Sequence, residues 1–270
     1  MKEILGEQEI RAYLQRIGFD GDLSPDFSTL CALQQAHLQH VPYENLDVLY
    51  RRPFSLNIPA LYDKIVQNRR GGYCFELNGL FAWLLRQLGY SVTERFGRWI
   101  YGEPLRYPMR RHRISIVELD DKRYVCDVGV GMPAPCAPLL LEYDIEQEIN
   151  GEIYRIVRDP VDEYTVQVKM DGKFENFYSF EEHIAQPIDF YYAHYYCTTH
   201  PDSMFLQKTM VFMRTESNGK KWIHDLFNPQ TGEKMWELNL EEGDQKEKIS
   251  IQSESTLFYM LKKHFDICFE

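Results

Sequence analysis

No stretch of this chain approaches the roughly 20 consecutive apolar residues that a bilayer-spanning helix requires, so no membrane partner is expected. The opening Met1-Lys2-Glu3-Ile4 lacks the basic-then-apolar layout of a secretory signal, and a cytoplasmic location is the corresponding expectation. Positive charge is also scarce. Thirty Lys and Arg against 41 Asp and Glu leave a net charge of −11, which argues against nucleic acid as a partner. The six cysteines (Cys31, Cys74, Cys126, Cys136, Cys197 and Cys268) contain no CxxC pair, and none of the eight histidines sits in an HExxH motif. Zinc-ribbon, thioredoxin-like and zincin chemistry drop out, no metal is expected, and the cysteines read as free thiols of a reducing compartment. There is no internal repeat and no low-complexity linker.

What remains is an ordinary globular composition over 270 residues, 44% hydrophobic and 26% charged, long enough to bury a large core. Aromatics are abundant at 14%, which suits β-structure and an aromatic-lined pocket equally well. Apolar residues recur at helical spacing through Ile10, Tyr13, Leu14 and Ile17, stopped by Gly18, and again through Leu30, Leu33, His37 and Val41, ended by Pro42. Residues 61–66 are a third helical candidate. From residue 91 the period changes to two, clearest at 112–119, 123–128, 152–157 and 163–170. Asp171-Gly172 and Asn218-Gly219 are hairpin signals. Leu257, Met260, Leu261, His264, Phe265 and Cys268 predict a C-terminal helix, and the charged run 241–248 is expected to be a surface loop.

Cys74 closes the run Arg69-Arg70-Gly71-Gly72-Tyr73 and opens a predicted helix whose apolar face is Leu77, Leu80, Phe81, Leu84, Leu85 and Leu88, with Gly89 as its stop. A thiol at the first turn of a helix faces unpaired N–H groups and the positive end of the macrodipole, which favour the nucleophilic thiolate. The two glycines allow a close approach to that sulfur. The competing reading is a buried cysteine acting as a small hydrophobe.

A nucleophilic cysteine needs a base, and the base an orienting group. His112 begins a predicted strand that turns at Asp120 and Asp121 and returns through Tyr124-Val125-Cys126-Asp127. If that turn is even in length, paired positions sum to 241 and Asp127 falls opposite Ile114. Side chains alternate along a strand, so Asp127 then shares a face with His112, within side-chain reach. A carboxylate in so apolar a strand is costly without a partner, and an imidazole N–H supplies one. His200, in Thr199-His200-Pro201, is the rival base and has no isolated carboxylate beside it in sequence. Otherwise His112 is a strand-edge histidine and Asp127 a turn acceptor.

With these residues in place the chain resembles the arylamine N-acetyltransferases. Arg70-Gly71-Gly72-Tyr73-Cys74-Phe75-Glu76-Leu77-Asn78 matches that family's active-site signature. Val41-Pro42-Tyr43-Glu44-Asn45-Leu46-Asp47 matches a second hallmark. Asp127-Val128-Gly129-Val130-Gly131, followed by Pro133, Pro135, Pro138 and Leu139, matches a third, and Thr199-His200-Pro201 with Phe205 is similar to the link into the last domain. The resemblance spans essentially the whole chain and is most specific up to residue 140.

The resemblance implies an α+β fold with a papain-like core: a helical bundle (1–90), an antiparallel β-barrel (91–200) and a C-terminal α/β lid (201–270). It implies a Cys74–His112–Asp127 triad and ping-pong transfer of an acetyl group from acetyl-coenzyme A to an arylamine, arylhydroxylamine or hydrazine. The same triad also serves cysteine hydrolases, transglutaminase-like amidases and macrolactam-forming amide synthases, and a non-catalytic binding protein is a further alternative. Tyr43 and Phe75 are candidate contacts for a flat acceptor, or plain core. Gly129 and Gly131 follow a strand, but the prolines beyond them forbid the helix of a dinucleotide fold. Their loop is either a coenzyme A phosphate contact or a tight turn. Arg95, Arg98, Arg106, Arg110, Arg111 and Arg113, opposed locally by Glu103 alone, are either a phosphate-attracting field or a solvated face. Glu44 with Arg69 or Arg70 is a candidate buried ion pair.

Overall fold

The computed structural model describes residues 5–131, 135–227 and 230–269. The helices are α1 (Glu7–Arg16), α2 (Phe27–His40), α3 (Leu46–Leu49), α4 (Ile58–Tyr62), α5 (Cys74–Gln87), α6 (Phe190–Thr199), α7 (Met204–Gln207) and α8 (Glu254–Phe265). The first strands are β1 (Tyr43–Glu44), β2 (Ser91–Trp99), β3 (His112–Leu119), β4 (Lys122–Cys126), β5 (Leu139–Leu140) and β6 (Gln147–Ile149). They are followed by β7 (Glu152–Asp159), β8 (Glu163–Met170), β9 (Lys173–Phe180), β10 (Met210–Arg214), β11 (Lys220–Phe227), β12 (Lys234–Glu242) and β13 (Gln245–Ile251). Helices with antiparallel sheets make this an α+β fold, the class expected from sequence. None of the six cysteines is in a disulfide.

The chain forms two compact units. The first gathers the chain up to Asp20, Ala36–Tyr73 and everything from Tyr196 onward. Its sheet runs β1-β10-β11-β12-β13. α8 buries Leu257, Leu261 and Phe265, spaced one turn apart, against Val211, Ile223, Leu238 and Ile251 of that sheet. Ser253 caps the helix, its hydroxyl accepting from the Thr256 N–H at 3.2 Å. Asn218 takes φ +65 in the turn between β10 and β11, as its Asn-Gly pair predicts. The run 241–248 is not a loop. It carries the end of β12 and the start of β13, turning at Gly243-Asp244, with Glu241 opposite Lys246. Opposite charges face each other across this ladder, so a charged run reads as a hairpin once paired.

The second unit comprises Gly21–Gln35 and Cys74–Tyr195. Its eight strands run β5-β4-β3-β2-β9-β8-β7-β6, all antiparallel, and a bridge from Tyr143 to Ile156 brings the segment after β5 against β7, curling the sheet into a nearly closed barrel. Tyr143, Tyr164 and Phe180 stack along it with ring centroids 5.2 and 4.9 Å apart. The Asp171-Gly172 turn joins β8 to β9 with both residues at positive φ. α5 is the buried helix of this unit, with Leu77, Leu80, Phe81, Leu84 and Leu85 fully enclosed.

Candidate active site

Cys74 is the first residue of α5 and is buried, with 3% of its surface exposed. Its thiol lies 3.5 Å from the Arg111 carbonyl oxygen and hydrogen-bonds His112. His112 opens β3. The β3–β4 hairpin closes through Asp120 and Asp121 at φ +50 and +59, the two-residue turn whose twist suits antiparallel strands. Ser115 pairs with Cys126 and Ile116 with Val125, so positions do sum to 241, and Asp127 is the residue just past β4. It reaches back to His112, with Nε2 2.6 Å from Asp127 Oδ2. That leaves Nδ1 for the sulfur. The even turn, together with the cost of a lone carboxylate in an apolar strand, anticipated the His112–Asp127 contact.

The carboxylate is held from both ends. Asp127 Oδ1 accepts from Asn78 Nδ2 at 2.8 Å and from the Gly129 N–H at 2.9 Å. Asn78 also donates to the Arg113 carbonyl and accepts from the Val128 N–H at 2.8 Å. Cys74 and Asn78 are four residues apart and share a helix face. The role of Asn78 as the clamp on Asp127 was missed in the sequence, although its i+4 spacing from Cys74 was a usable signal.

Electrostatics favour a charged ring. Burial opposes protonation of His112, but the Asp127 charge, its hydrogen bond and the Cys74 sulfur outweigh that and push the histidine up to about 10. Tyr178 and Trp99 flank the imidazole, at 5.3 and 6.2 Å between ring centroids. The neighbouring Cys126 thiol shows the opposite behaviour: burial, with Cys31 and Asp127 beside it, raises it well above the ordinary thiol range.

Arg113 anchors the start of α5. Its guanidinium pairs with Glu94 at 2.6 Å, donates to the Phe75 carbonyl at 3.1 Å and lies 4.5 Å from the Phe190 ring centre. The Phe75 ring is fully buried, against Phe190 and edge-on to His194. Gly129 is a close-approach position, where a Cβ would stand 2.6 Å from both Cys74 Cα and Asn78 Nδ2. That packing and the N–H bond to Asp127 account for the glycine. Gly131 is half-buried, and Met132, Pro133 and Ala134 of the same motif lie outside the described residues.

In the first unit the segment preceding Cys74 is locked in place. Gly72 donates to the Pro42 carbonyl and accepts from the Glu44 N–H at 2.8 Å. A Cβ on Gly71 would sit 2.0 Å from the Pro42 oxygen. Glu44 pairs with Arg70 rather than Arg69, at 2.6 Å, and Asp47 joins Arg70 at 2.9 Å and Lys64 at 2.8 Å. Tyr43 lies in β1 opposite Phe212, bridges to Gly72 and is half-buried. His200 is exposed, stacked on Tyr196 and 3.9 Å from Asp202.

Five of the six arginines in the basic stretch are ion-paired, while Arg106 is exposed, 5.2 Å over the Tyr107 ring. Arg98 and Arg110 share Asp162, Arg110 adds Glu181 at 2.6 Å, Arg95 meets Glu182 at 3.5 Å, and Arg111 pairs with Glu103. Three of those four acids lie beyond residue 160, so the local charge along the sequence is balanced in space.

A model of the N-acetyltransferase family matches residues 26–270. The solved arylamine N-acetyltransferase of Salmonella typhimurium superposes with a TM-score of 0.89 and 28% identity, covering 98% of this chain and 93% of that one. The Mycobacterium marinum arylamine N-acetyltransferase in complex with CoA gives 0.84 and 29% identity, covering 96% and 92%. The arylamine N-acetyltransferase of Mycolicibacterium smegmatis is 36% identical over 213 residues, 77% of either chain. A buried thiol, imidazole and carboxylate in hydrogen-bonded sequence, on a fold shared over nearly its full length, agree with these matches: the chain belongs to the arylamine N-acetyltransferase family.

Proposed function

We propose that the protein acetylates arylamines, arylhydroxylamines or hydrazines from acetyl-coenzyme A by a ping-pong route through Cys74. The observation that carries this reading is the chain of contacts from the Cys74 thiol through the His112 ring to Asp127 Oδ2 at 2.6 Å. A solved relative in complex with CoA supports coenzyme A as the carrier of the donor.

In the first half-reaction the Cys74 sulfur attacks the thioester carbonyl. The carbon–sulfur bond to coenzyme A breaks, and the His112 imidazolium gives its proton to the departing thiolate. The raised affinity of His112 for its proton keeps that proton in place at neutral pH. Exchange between two thioesters is nearly balanced, so the acetyl-enzyme stays reactive. In the second half-reaction a neutral amine attacks the acetyl carbon, His112 takes the amine proton and the Cys74 sulfur leaves. Asp127 keeps the ring aimed and compensates the imidazolium charge. Gly129 serves this machinery by admitting the backbone of the nucleophile.

Incubation with acetyl-coenzyme A alone, followed by intact mass measurement, tests the reading. One added acetyl group is expected, lost in Cys74→Ser and discharged by an aromatic amine. Release of coenzyme A without an adduct, at a rate indifferent to amine, assigns the triad to hydrolysis instead.

A further inference from the structure

The first unit holds a cavity of about 420 Å³ whose lining brings together five permanent cations. Arg16 of α1, Arg69, Arg214 of β10, Lys221 of β11 and Lys263 of α8 all line it. His40 and His264 complete the basic side, and Glu216 and Asp266 are the carboxylates present. No residue of the triad contributes. In a chain of net charge −11, five permanent cations from five separate segments converging on one space is a specific arrangement.

The two carboxylates do not neutralise it. Asp266 is shared between Arg69 at 2.7 Å and Lys262 at 2.6 Å. Glu216 is 83% exposed and its contact here is His40, at 3.5 Å. The hydrogen bonds of buried Arg16 end on the neutral carbonyls of His40, Ile65, Arg69 and Arg70. The groups also register one another's charge. Burial and then Arg69 pull Arg16 down to about 10 against the opposing pull of Asp266 and Tyr13. Burial lowers Lys221 despite Glu242 and Glu216, and His264 is lowered by burial, Lys263 and Lys221 against Glu247. His264 Nε2 is buried with no hydrogen-bond partner.

Like charges pressed together at the wall of a small concave space are relieved by an entering anion. Guanidinium forks match phosphoryl oxygens in geometry, and flanking ammonium groups add point charge. The volume falls in the range of small-molecule sites. We propose that this cavity binds a small anion carrying two or more phosphoryl groups, a site separate in its residues from the Cys74 chemistry. The phosphates come either from a free phosphorylated metabolite or from the diphosphate of a nucleotide-type coenzyme.

Calorimetric titration of the full-length protein with tripolyphosphate, at constant ionic strength set by chloride, tests this. Saturable one-to-one binding is expected, weakened about tenfold or more in the Lys221→Gln/Lys263→Gln double variant. Lys221 is half-buried and Lys263 exposed, and thermal unfolding checks that the variant is folded. The single Lys263→Gln, at an exposed position, serves if the double variant does not fold. Competition by coenzyme A assigns the natural phosphates to a coenzyme, and undiminished tripolyphosphate binding in its presence assigns them to a free metabolite. Absence of saturable binding, or equal affinity in the variants, overturns the proposal.

Discussion

Asn78 Nδ2 stands 2.8 Å from Asp127 Oδ1, and that contact ties the helix that Cys74 opens to the carboxylate that bonds His112. One side chain thus links α5 to the segment just past β4, which the proposed chemistry needs held together.

Replacing Asn78 with Ala leaves Asp127 a donor short and strands the Val128 N–H in a buried site. The rate of Cys74 acetylation should fall on the order of a hundredfold, the scale of misplacing a reacting group by about 1 Å. A merely structural role would leave the pH profile in place. A positioning role shifts it to lower pH, because a displaced Asp127 holds the His112 proton less firmly. Stopped-flow release of coenzyme A across pH measures both, and an unmoved profile with wild-type rate removes Asn78 from the machinery.

The raised proton affinity of His112 has a thermodynamic sign. The folded protein holds this proton up to about pH 10, whereas an unfolded histidine releases it near pH 6.5. The stabilisation is therefore complete below about pH 6.5 and disappears as pH climbs through the folded value. Thermal unfolding from neutral to alkaline pH should decline more steeply in the wild type than in His112→Gln, which should also acylate slower by orders of magnitude. NMR titration of the ring with a midpoint near 6.5 contradicts this account.

Arg70 and Glu44 are 7% and 0% exposed, and their pairing holds the segment that ends at Tyr73. Removing one partner leaves a buried charge uncompensated. Arg70→Ala and Glu44→Ala are each expected to cost about 3–5 kcal/mol in urea unfolding. A loss below about 1 kcal/mol, the value of a surface pair, shows that water reaches the site.

Gly129→Ala places a methyl group 2.6 Å from the Cys74 backbone. Overpacking of this kind costs about 1–3 kcal/mol, and here the group that moves is Cys74, the proposed nucleophile. Acetylation should fall much further than stability does. A fully active, equally stable variant means the loop after Asp127 shifts freely.

Much of this was legible in the sequence where local rules applied. The apolar face of α5, the turn residues Asp120-Asp121 and Asp171-Gly172, and the 241 parity each rest on spacing within a few residues. What escaped was non-local. Glu94 meets Arg113 across neighbouring strands, and Arg98 finds Asp162 at a distance of 64 residues in sequence, so a basic run looked uncompensated when it was balanced. The charged run 241–248 hid a hairpin because its strands present opposite charges to each other rather than an apolar face. Asn78 was noticed as polar and near Cys74, but only the position of Asp127 in space reveals what its amide does.

The two-residue turn at Asp120 and Asp121 has a consequence of its own. Because side chains change face with every residue, a one-residue slip of β4 against β3 carries Asp127 to the face opposite His112 while leaving both residues in the chain. The register closed at that turn therefore governs whether carboxylate and imidazole meet, even though its tip lies eight residues from His112 in sequence.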